Sequence, residues 1–250
     1  GVVARSSSRA DQATPKSKGD AVDKTTLTVM RAEDYQPPQA DPVDRATLNA
    51  AQAIVDGVRD QGARGLKDAI ARFEGRDDPA LFIERRALEA AYQRLSPDTQ
   101  ALLQRTCERV ERFAKAQLNC LSALDVAIPG GRAGHTLSPV KRAGCYAPGG
   151  NFPLPSSVLM TALTAKVAGV ESVVVATPSN DDLILAAAWL SGADQLLWAG
   201  GAHAIAALAY GVEGLAPVDM IVGPGNRWGT AAKALVVGRV GITHHTAWPH

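Results

Sequence analysis

Cysteine is scarce in this sequence of 250 residues, which contains only Cys107, Cys120 and Cys145. Three cysteines without the paired spacing of zinc or redox motifs provide neither a disulfide framework nor a metal-binding cluster. The 46% of hydrophobic residues can form a core without disulfides. We therefore expect a reducing compartment, the cytoplasm, and we expect the Cys145 thiol to pack inside a strand rather than to act as a nucleophile.

Strong charge and long apolar runs are absent as well. The formal net charge of +1 at pH 7 offers no basic surface for nucleic acid or for an anionic membrane. The longest apolar candidate, "LILAAAWL", is much shorter than the roughly 18 residues that cross a bilayer. The sequence therefore predicts neither a nucleic-acid partner nor a membrane partner.

The first 25 residues lack the apolar segment of a secretory signal. Their Ser, Arg and Lys content leaves a transit peptide as an alternative, whereas Asp11 and Asp20 favour a disordered arm. We expect residues 1–25 to form such an arm and to contribute nothing to the fold.

Helical periodicity dominates the region that follows. Apolar residues recur at three- and four-residue spacing from Asp44 to about Gln117, and Ser96-Pro97 ends one helix and starts the next. This pattern predicts a mainly helical region over residues 26–141. Its charged residues are interpreted as solvated faces without chemistry.

Short apolar runs alternate with helical patterns from Arg142 onwards. Runs such as "SVVVATP" are apolar without alternation, which is typical of central strands buried on both faces. Strand and helix in alternation indicate a parallel sheet with crossover helices. We predict an α/β fold in which residues 142–242 form an open, mainly parallel, Rossmann-like sheet.

Four loops rich in glycine, proline and small polar residues follow the predicted strands. They are "GGNFPLP", "TPSND", "AGGAH" and "GPGNRW". Ligands of open parallel sheets bind beyond the carboxyl ends of the strands, so these loops predict a binding crevice. After the first loop, Ser156 or Ser157 is expected to cap a helix whose free N–H groups would bind phosphate.

Three separated stretches resemble the histidinol dehydrogenase family in motif and order. They are "CYAPGGNFPLPSSVLMTALTAKVAGV", "GGAHAIAALAYG" and "VDMIVGPGN". The resemblance covers roughly Val43 to Ile242. It implies a cytoplasmic, homodimeric oxidoreductase of histidine biosynthesis that depends on zinc and NAD. Its substrate would be the amino alcohol histidinol, which is oxidised through an aldehyde to histidine with two NAD.

The resemblance also assigns NAD contacts to three residues of this chain. Tyr146 and Asn226 match the tyrosine and the asparagine of the family's cofactor loops, and His203 stands where the family has glutamine. A protonated imidazole can only donate hydrogen bonds, so His203 predicts NAD binding that depends on pH. The alternative is that His203 points to solvent or packs on the helix that follows it.

The resemblance stops after Ile242, so residues 243–250 are predicted to be a tail outside the family pattern. The family's zinc ligands and its acid–base Glu-His pair have no counterpart in this sequence, and no catalytic or metal residue is assigned. Catalysis by the 250-residue chain alone is therefore not expected. Two alternatives stay open: a related zinc- and NAD-dependent dehydrogenase of another polar alcohol, such as a hydroxysulfonate, and a non-catalytic nucleotide-binding fragment. The absence of the family segment that follows Ile242 has a further consequence for packing. Without that segment, residues Asp44 to Gln117 are predicted to keep an exposed apolar face that has no partner.

Overall fold

The chain begins with two short strands that pair with each other. β1 (Val2–Ala4) runs antiparallel to β2 (Thr28–Met30), with Val2 opposite Met30. The structure is a computed structural model that describes the backbone of these strands and residues 43–77, 80–149 and 153–243. β1 places residues 2–4 of the predicted arm in a strand, and the rest of that arm lies outside the described residues, as do residues 244–250 of the predicted tail.

A six-stranded sheet organises the second compact unit, residues 42–250. Its strands are β3 (Phe82–Ile83), β6 (Arg142–Tyr146), β7 (Ser172–Thr177), β8 (Gln195–Trp198), β9 (Met220–Val222) and β10 (Gly241–Ile242). They lie in the order β10-β9-β6-β7-β8-β3, and every pair is parallel except β3 with β8. The predicted α/β fold with a mainly parallel sheet is confirmed.

Helices cover both faces of this sheet. Before β6 the helices are α1 (Arg45–Gln61), α2 (Ala63–Glu74), α3 (Arg85–Arg94) and α4 (Pro97–Leu118). After β6 they are α5 (Pro155–Val158), a π-helical segment (Leu159–Leu163), α6 (Thr164–Val167), α7 (Asp182–Leu190), α8 (Gly201–Tyr210) and α9 (Arg227–Val236). Crossover helices of this kind join parallel strands and bury both faces.

The buried side chains of β7 alternate between two apolar clusters. Val174 and Ala176 pack with α1, α2, α8 and α9, whereas Val173 and Val175 pack with α3, α7 and the segment that begins at α5. Successive side chains of a strand point to opposite faces, so one strand contributes to both clusters. The region predicted as helical therefore supplies layers on both faces, together with the edge strand β3.

This packing corrects the expectation of an unpartnered apolar face for α1 and α2, but not for the whole stretch between Asp44 and Gln117. The apolar residues Ala51, Val55, Leu66 and Ile70 belong to the buried core, because α1 and α2 lie against α8. Exposed large apolar side chains of the expected kind do occur within this stretch, at Phe73 on α2 and at Leu102 and Phe113 on α4, and Leu118 and Leu121 follow just beyond it.

A hairpin that the sequence analysis did not predict follows α4. β4 (Leu124–Ile128) pairs antiparallel with β5 (Gly131–His135), and every residue of both strands is exposed. The two strands form a sheet of their own. We call Leu124, Val126 and Ile128, which share one face of β4, the hairpin stripe.

The predicted serine cap after the first glycine-rich loop is wrong. α5 begins at Pro155, after Leu154, which makes no capping hydrogen bond with its side chain. Ser156 and Ser157 lie inside the helix, because proline already occupies the first helical position. α5 continues directly into the π-helical segment and α6, so a helix does follow the loop as predicted, and its binding of phosphate stays a prediction.

Candidate functional site

The loops at the carboxyl edge of the sheet meet around Pro178. A Cβ added to Gly149, after β6, or to Gly200, after β8, would lie 2.6 or 2.8 Å from Pro178 Cγ. A side chain at Gly149 or at Gly200 would clash with Pro178, so glycine at both positions lets the loops after β6, β7 and β8 lie close together. Gly223, after β9, has a φ of 112° and lies against the carbonyl of Tyr146. The convergence of the loops is therefore confirmed for their described residues.

A cavity of about 800 Å³ opens between these loops and the helices α1 and α2. We call it the α8 cavity, because the first residues of α8 form one end of it. Its lining residues include Gln61, Asp68, Arg72, Phe73, Glu74, Pro178, Gly200, Gly201, His203, Asn226 and Trp228. Its size lies in the range of small-molecule and cofactor sites.

Another cavity, of about 760 Å³, lies at the opposite edge of the sheet. It is lined by Arg142, Asp219 and Arg239, near the amino ends of β6, β9 and β10. Ligands of open parallel sheets bind at the carboxyl edge, so the α8 cavity is the candidate site.

Tyr146 lies directly beneath the first turn of α8. Its ring is buried, and its hydroxyl accepts a hydrogen bond of 3.0 Å from the N–H of Gly201. Burial raises the pKa of Tyr146 to about 12, although the hydrogen bond from Gly201 opposes the rise. Tyr146 is thus a neutral hydroxyl that holds the backbone of the loop rather than a side chain on the cavity surface.

His203 is buried in the wall of the α8 cavity. Its Nε2 lies 2.8 Å from Oε1 of Glu74, and its ring stacks on Phe73 with centroids 6.0 Å apart. It is 3% exposed, so the alternative in which it points to solvent is wrong. His203 lies in the wall of the α8 cavity, and its contact with NAD stays a prediction.

Glu74 is a member of this site that the sequence analysis missed. Its Oε1 also accepts a hydrogen bond from Gly200 N at 2.8 Å, and its Oε2 accepts one from Arg76 Nη2 at 2.6 Å. Burial raises its pKa, but the hydrogen bonds from His203, Arg76 and Gly200 outweigh burial and leave the pKa below its ordinary value. Glu74 is therefore ionised at neutral pH, and the interpretation of the charges in the helical region as solvated faces is wrong for this residue.

One sequence signal could have pointed to Glu74. It is the last residue of α2, where the helix dipole disfavours an acidic side chain. An acidic residue at that position indicates a compensating tertiary partner. Gly200 and His203, more than 120 residues away in sequence, are such partners.

Asn226 occupies another part of the cavity wall and begins α9. Its Oδ1 accepts hydrogen bonds from the N–H groups of Trp228 and Gly229, at 3.1 and 3.0 Å. A Cβ on Gly229 would lie 3.7 Å from both Asn226 Oδ1 and Tyr146 Cε1. The fold therefore brings the three predicted residues, Tyr146, His203 and Asn226, to one site.

Lys233 supports the loop that carries Asn226 and was also missed. It is fully buried, and its Nζ donates a hydrogen bond to the carbonyl of Gly223. Burial lowers its pKa from 10.5 to about 8. A buried lysine is rare unless it is paired, and this one holds the turn between β9 and α9.

The described residues contain no group of three or more His, Cys, Asp or Glu side chains that could hold a metal ion. Cys145 is fully buried, as predicted, and burial raises its pKa to about 12. A thiol with that pKa is not a nucleophile at neutral pH. Among the described helices, none has the length and apolar character needed to cross a bilayer.

Comparison with known proteins agrees with this geometry. A family model described as histidinol dehydrogenase matches residues 39–247, five residues beyond Ile242, where the resemblance was predicted to stop. Histidinol dehydrogenase from Methanothermobacter thermautotrophicus is 40% identical over 211 residues, which cover 80% of this chain and 49% of that protein. The enzyme from Thermus thermophilus is 43% identical over 200 residues, which cover 80% of this chain and 48% of that protein.

The fold is also similar to that of a solved structure. The crystal structure of histidinol dehydrogenase from Elizabethkingia anophelis matches with a TM-score of 0.76 and 27% sequence identity. The match covers 86% of this chain and 50% of that one. The chain thus spans about half the length of the relatives that it matches.

Proposed function

This chain belongs to the histidinol dehydrogenase family, and from that premise we propose that the protein is an oxidoreductase that converts histidinol to histidine with NAD. The observation that carries this proposal is the family match together with the α8 cavity at the carboxyl edge of the sheet. We further propose that it acts as a cytoplasmic homodimer, as the resemblance implies.

The role proposed for this chain is nucleotide binding, with residues 142–242 as the NAD side of the protein. His203 and Asn226 line the α8 cavity, and Tyr146 fixes the N–H of Gly201 next to it. NAD, when bound, supplies the acceptor for hydride. These residues would bind and orient it, and the aromatic rings of Phe73 and Trp228 would give it apolar contacts in the cavity.

The residues of the cavity fit a nucleotide. Its wall combines an apolar ring, Trp228, with a carboxylate, Glu74, and an amide, Asn226. Aromatic rings stack on bases, carboxylates accept hydrogen bonds from ribose hydroxyls, and amides bind polar edges. For zinc the described residues offer no ligand set, so no step is derived through a metal.

Binding of NAD to the purified chain tests the proposal. Trp228 lies in the cavity wall, so we expect saturable quenching of its fluorescence as NAD is added. A Trp228→Phe variant should lose this signal while it still binds NAD in calorimetry. The Asn226→Ser variant keeps a side-chain oxygen that can cap α9 but loses the amide, so we expect weaker NAD binding without a change in thermal stability.

Absence of saturable NAD binding at millimolar concentration would defeat the proposal. Reduction of NAD by the whole protein with a hydroxysulfonate, but not with histidinol, would replace the substrate and keep the nucleotide site. Tight binding of NAD without turnover of either alcohol would favour the non-catalytic nucleotide-binding alternative.

A further inference from the structure

The carboxylate of Glu74 occupies the anion-binding position at the amino end of α8. It accepts the N–H of Gly200, and it lies against His203 in the first turn of the ten-residue helix. The amino end of a helix attracts anions because the peptide dipoles and the free N–H groups point there. In this protein the anion is part of the chain itself.

Glu74 still has room for one more hydrogen bond. An ionised carboxylate has about four acceptor positions. Gly200 and His203 fill two on Oε1, and Arg76 fills one on Oε2. Because an ionised carboxylate only accepts, Nε2 of His203 must carry a hydrogen in this contact. The side chain of Glu74 is 13% exposed and lines the cavity, so a ligand in the cavity can contact it.

The surrounding charges leave this end of the cavity unsuited to phosphate. The guanidinium of Arg76 is paired with Glu74 and lies 3.9 Å from the ring centre of Trp198. Its buried Nε and Nη1 have no hydrogen-bond partner among the described residues, but Arg76 is not part of the cavity lining. The other charged side chains in the lining, Asp68 and Arg72, have opposite signs and lie one turn apart on α2. A phosphate placed at the first turn of α8 would meet the carboxylate of Glu74 at close range, and like charges repel strongly where solvent is excluded.

We propose that Glu74 makes the α8 end of the cavity a subsite for a hydroxyl-bearing ring, such as ribose, and excludes phosphate from it. The inference rests on the proposed function, since it is a nucleotide that brings both groups to the cavity. A ribose hydroxyl can donate to the free position on Oε2, whereas phosphate oxygens at neutral pH mainly accept hydrogen bonds. The phosphates of a bound nucleotide then lie away from the first turn of α8.

The test uses adenosine and inorganic pyrophosphate as separate probes on the full chain. The NMR signals of the His203 side chain report binding, and a His203→Gln variant assigns them. With the wild-type protein we expect adenosine to shift these signals in a saturable way and pyrophosphate to leave them unchanged. In Glu74→Gln we expect adenosine to bind about tenfold more weakly, since a hydrogen bond to a charged acceptor is lost.

Glu74→Gln should also gain pyrophosphate binding, because Arg76 loses its anionic partner. A purely structural role for Glu74 would predict no such gain. Glu89→Gln removes an exposed carboxylate on α3, outside the lining of the α8 cavity, so it should leave both affinities unchanged. Glu74→Asp keeps the charge and should still exclude pyrophosphate.

The inference would be overturned if pyrophosphate shifted the His203 signals of the wild type with the same affinity as in Glu74→Gln. It would also be overturned if adenosine did not shift these signals in the wild type. If Glu74→Gln does not fold, the comparison of adenosine with pyrophosphate on the wild type still tests the inference.

A separate NAD titration distinguishes failure of this inference from failure of the proposed function. Lack of NAD binding defeats the function, whereas pyrophosphate at the α8 end with NAD still bound defeats only the role of Glu74.

Discussion

The carboxyl edge of the sheet and the β4–β5 hairpin differ in how their side chains are covered. At the edge, Tyr146, His203 and Lys233 are at most 3% exposed, and each has a hydrogen-bond partner. Each side chain of the hairpin stripe is at least 43% exposed. Both regions contain glycine-rich turns, so local turn chemistry does not explain the contrast. Elements distant in sequence surround the edge, whereas the strands of the hairpin pair with each other alone.

The same substitution in the two regions should have very different effects on stability. Leu197 in β8 is fully buried, whereas Leu124 in the hairpin stripe is 48% exposed. We expect Leu197→Ala to lower the free energy of unfolding by roughly 2–5 kcal/mol, because it leaves a cavity in the core. Leu124→Ala should lower it by less than about 1 kcal/mol. Urea denaturation followed by circular dichroism measures both, and equal losses would contradict the contrast.

Lys233 should make the stability of the edge depend on pH. Its pKa is about 8 in the folded chain and near 10.5 when exposed, so between these values the unfolded chain binds the extra proton. The free energy of unfolding should therefore rise with pH through that window, by roughly 2–3 kcal/mol from this group. Below pH 8 both states are protonated, and the cost of burying the charge is present in full.

Lys233→Met provides the matched comparison. The variant has no titrating amine at this position, so the difference in unfolding free energy between wild type and variant should change across pH 8–10.5. Chemical denaturation at several pH values measures this difference. A constant difference would show that the buried amine does not titrate in this window.

The hairpin stripe should affect association more than stability. Replacing Leu124, Val126 and Ile128 by Thr keeps residues that favour strands and removes an exposed apolar face. We expect less association at high concentration in light scattering, with a change in unfolding free energy of about 1 kcal/mol or less. Ala127→Thr alters the other face of β4 and serves as the control. Unchanged association in the triple variant would show that the stripe is not its cause.

Local pattern was enough to predict most elements of this fold. The three- and four-residue periodicity of apolar residues identified α1, and the continuous apolar run identified β7. Both predictions succeeded because the spacing of apolar residues indicates which side chains are buried. The cap of α5 was misassigned because Pro155 competes with two serines for the start of the helix. The hairpin was missed because its strands, "LDVAI" and "GRAGH", lie between a long helix and a turn-rich segment and carry only a short alternation.

The candidate site was predicted in part. Tyr146, His203 and Asn226 were identified from motifs that resemble a family, and the structure gathers them around one cavity edge. Their contact with NAD stays a prediction. Glu74 and Lys233 were not found, since neither lies in a glycine-rich loop and each reaches the site from a helix interior or a helix end.

The sequence by itself determined the alternation of strands and helices, the position of the glycine-rich loops and the family to which the chain belongs. These properties depend on residue spacing and on short motifs, which are local. Only the tertiary structure decided which charges are buried together. Glu74 meets His203 across 129 residues of sequence, at the amino end of α8, where the N–H of Gly200 stabilises the carboxylate. Electrostatic energy depends on distance in space and on solvent access, and neither quantity is encoded in the local pattern.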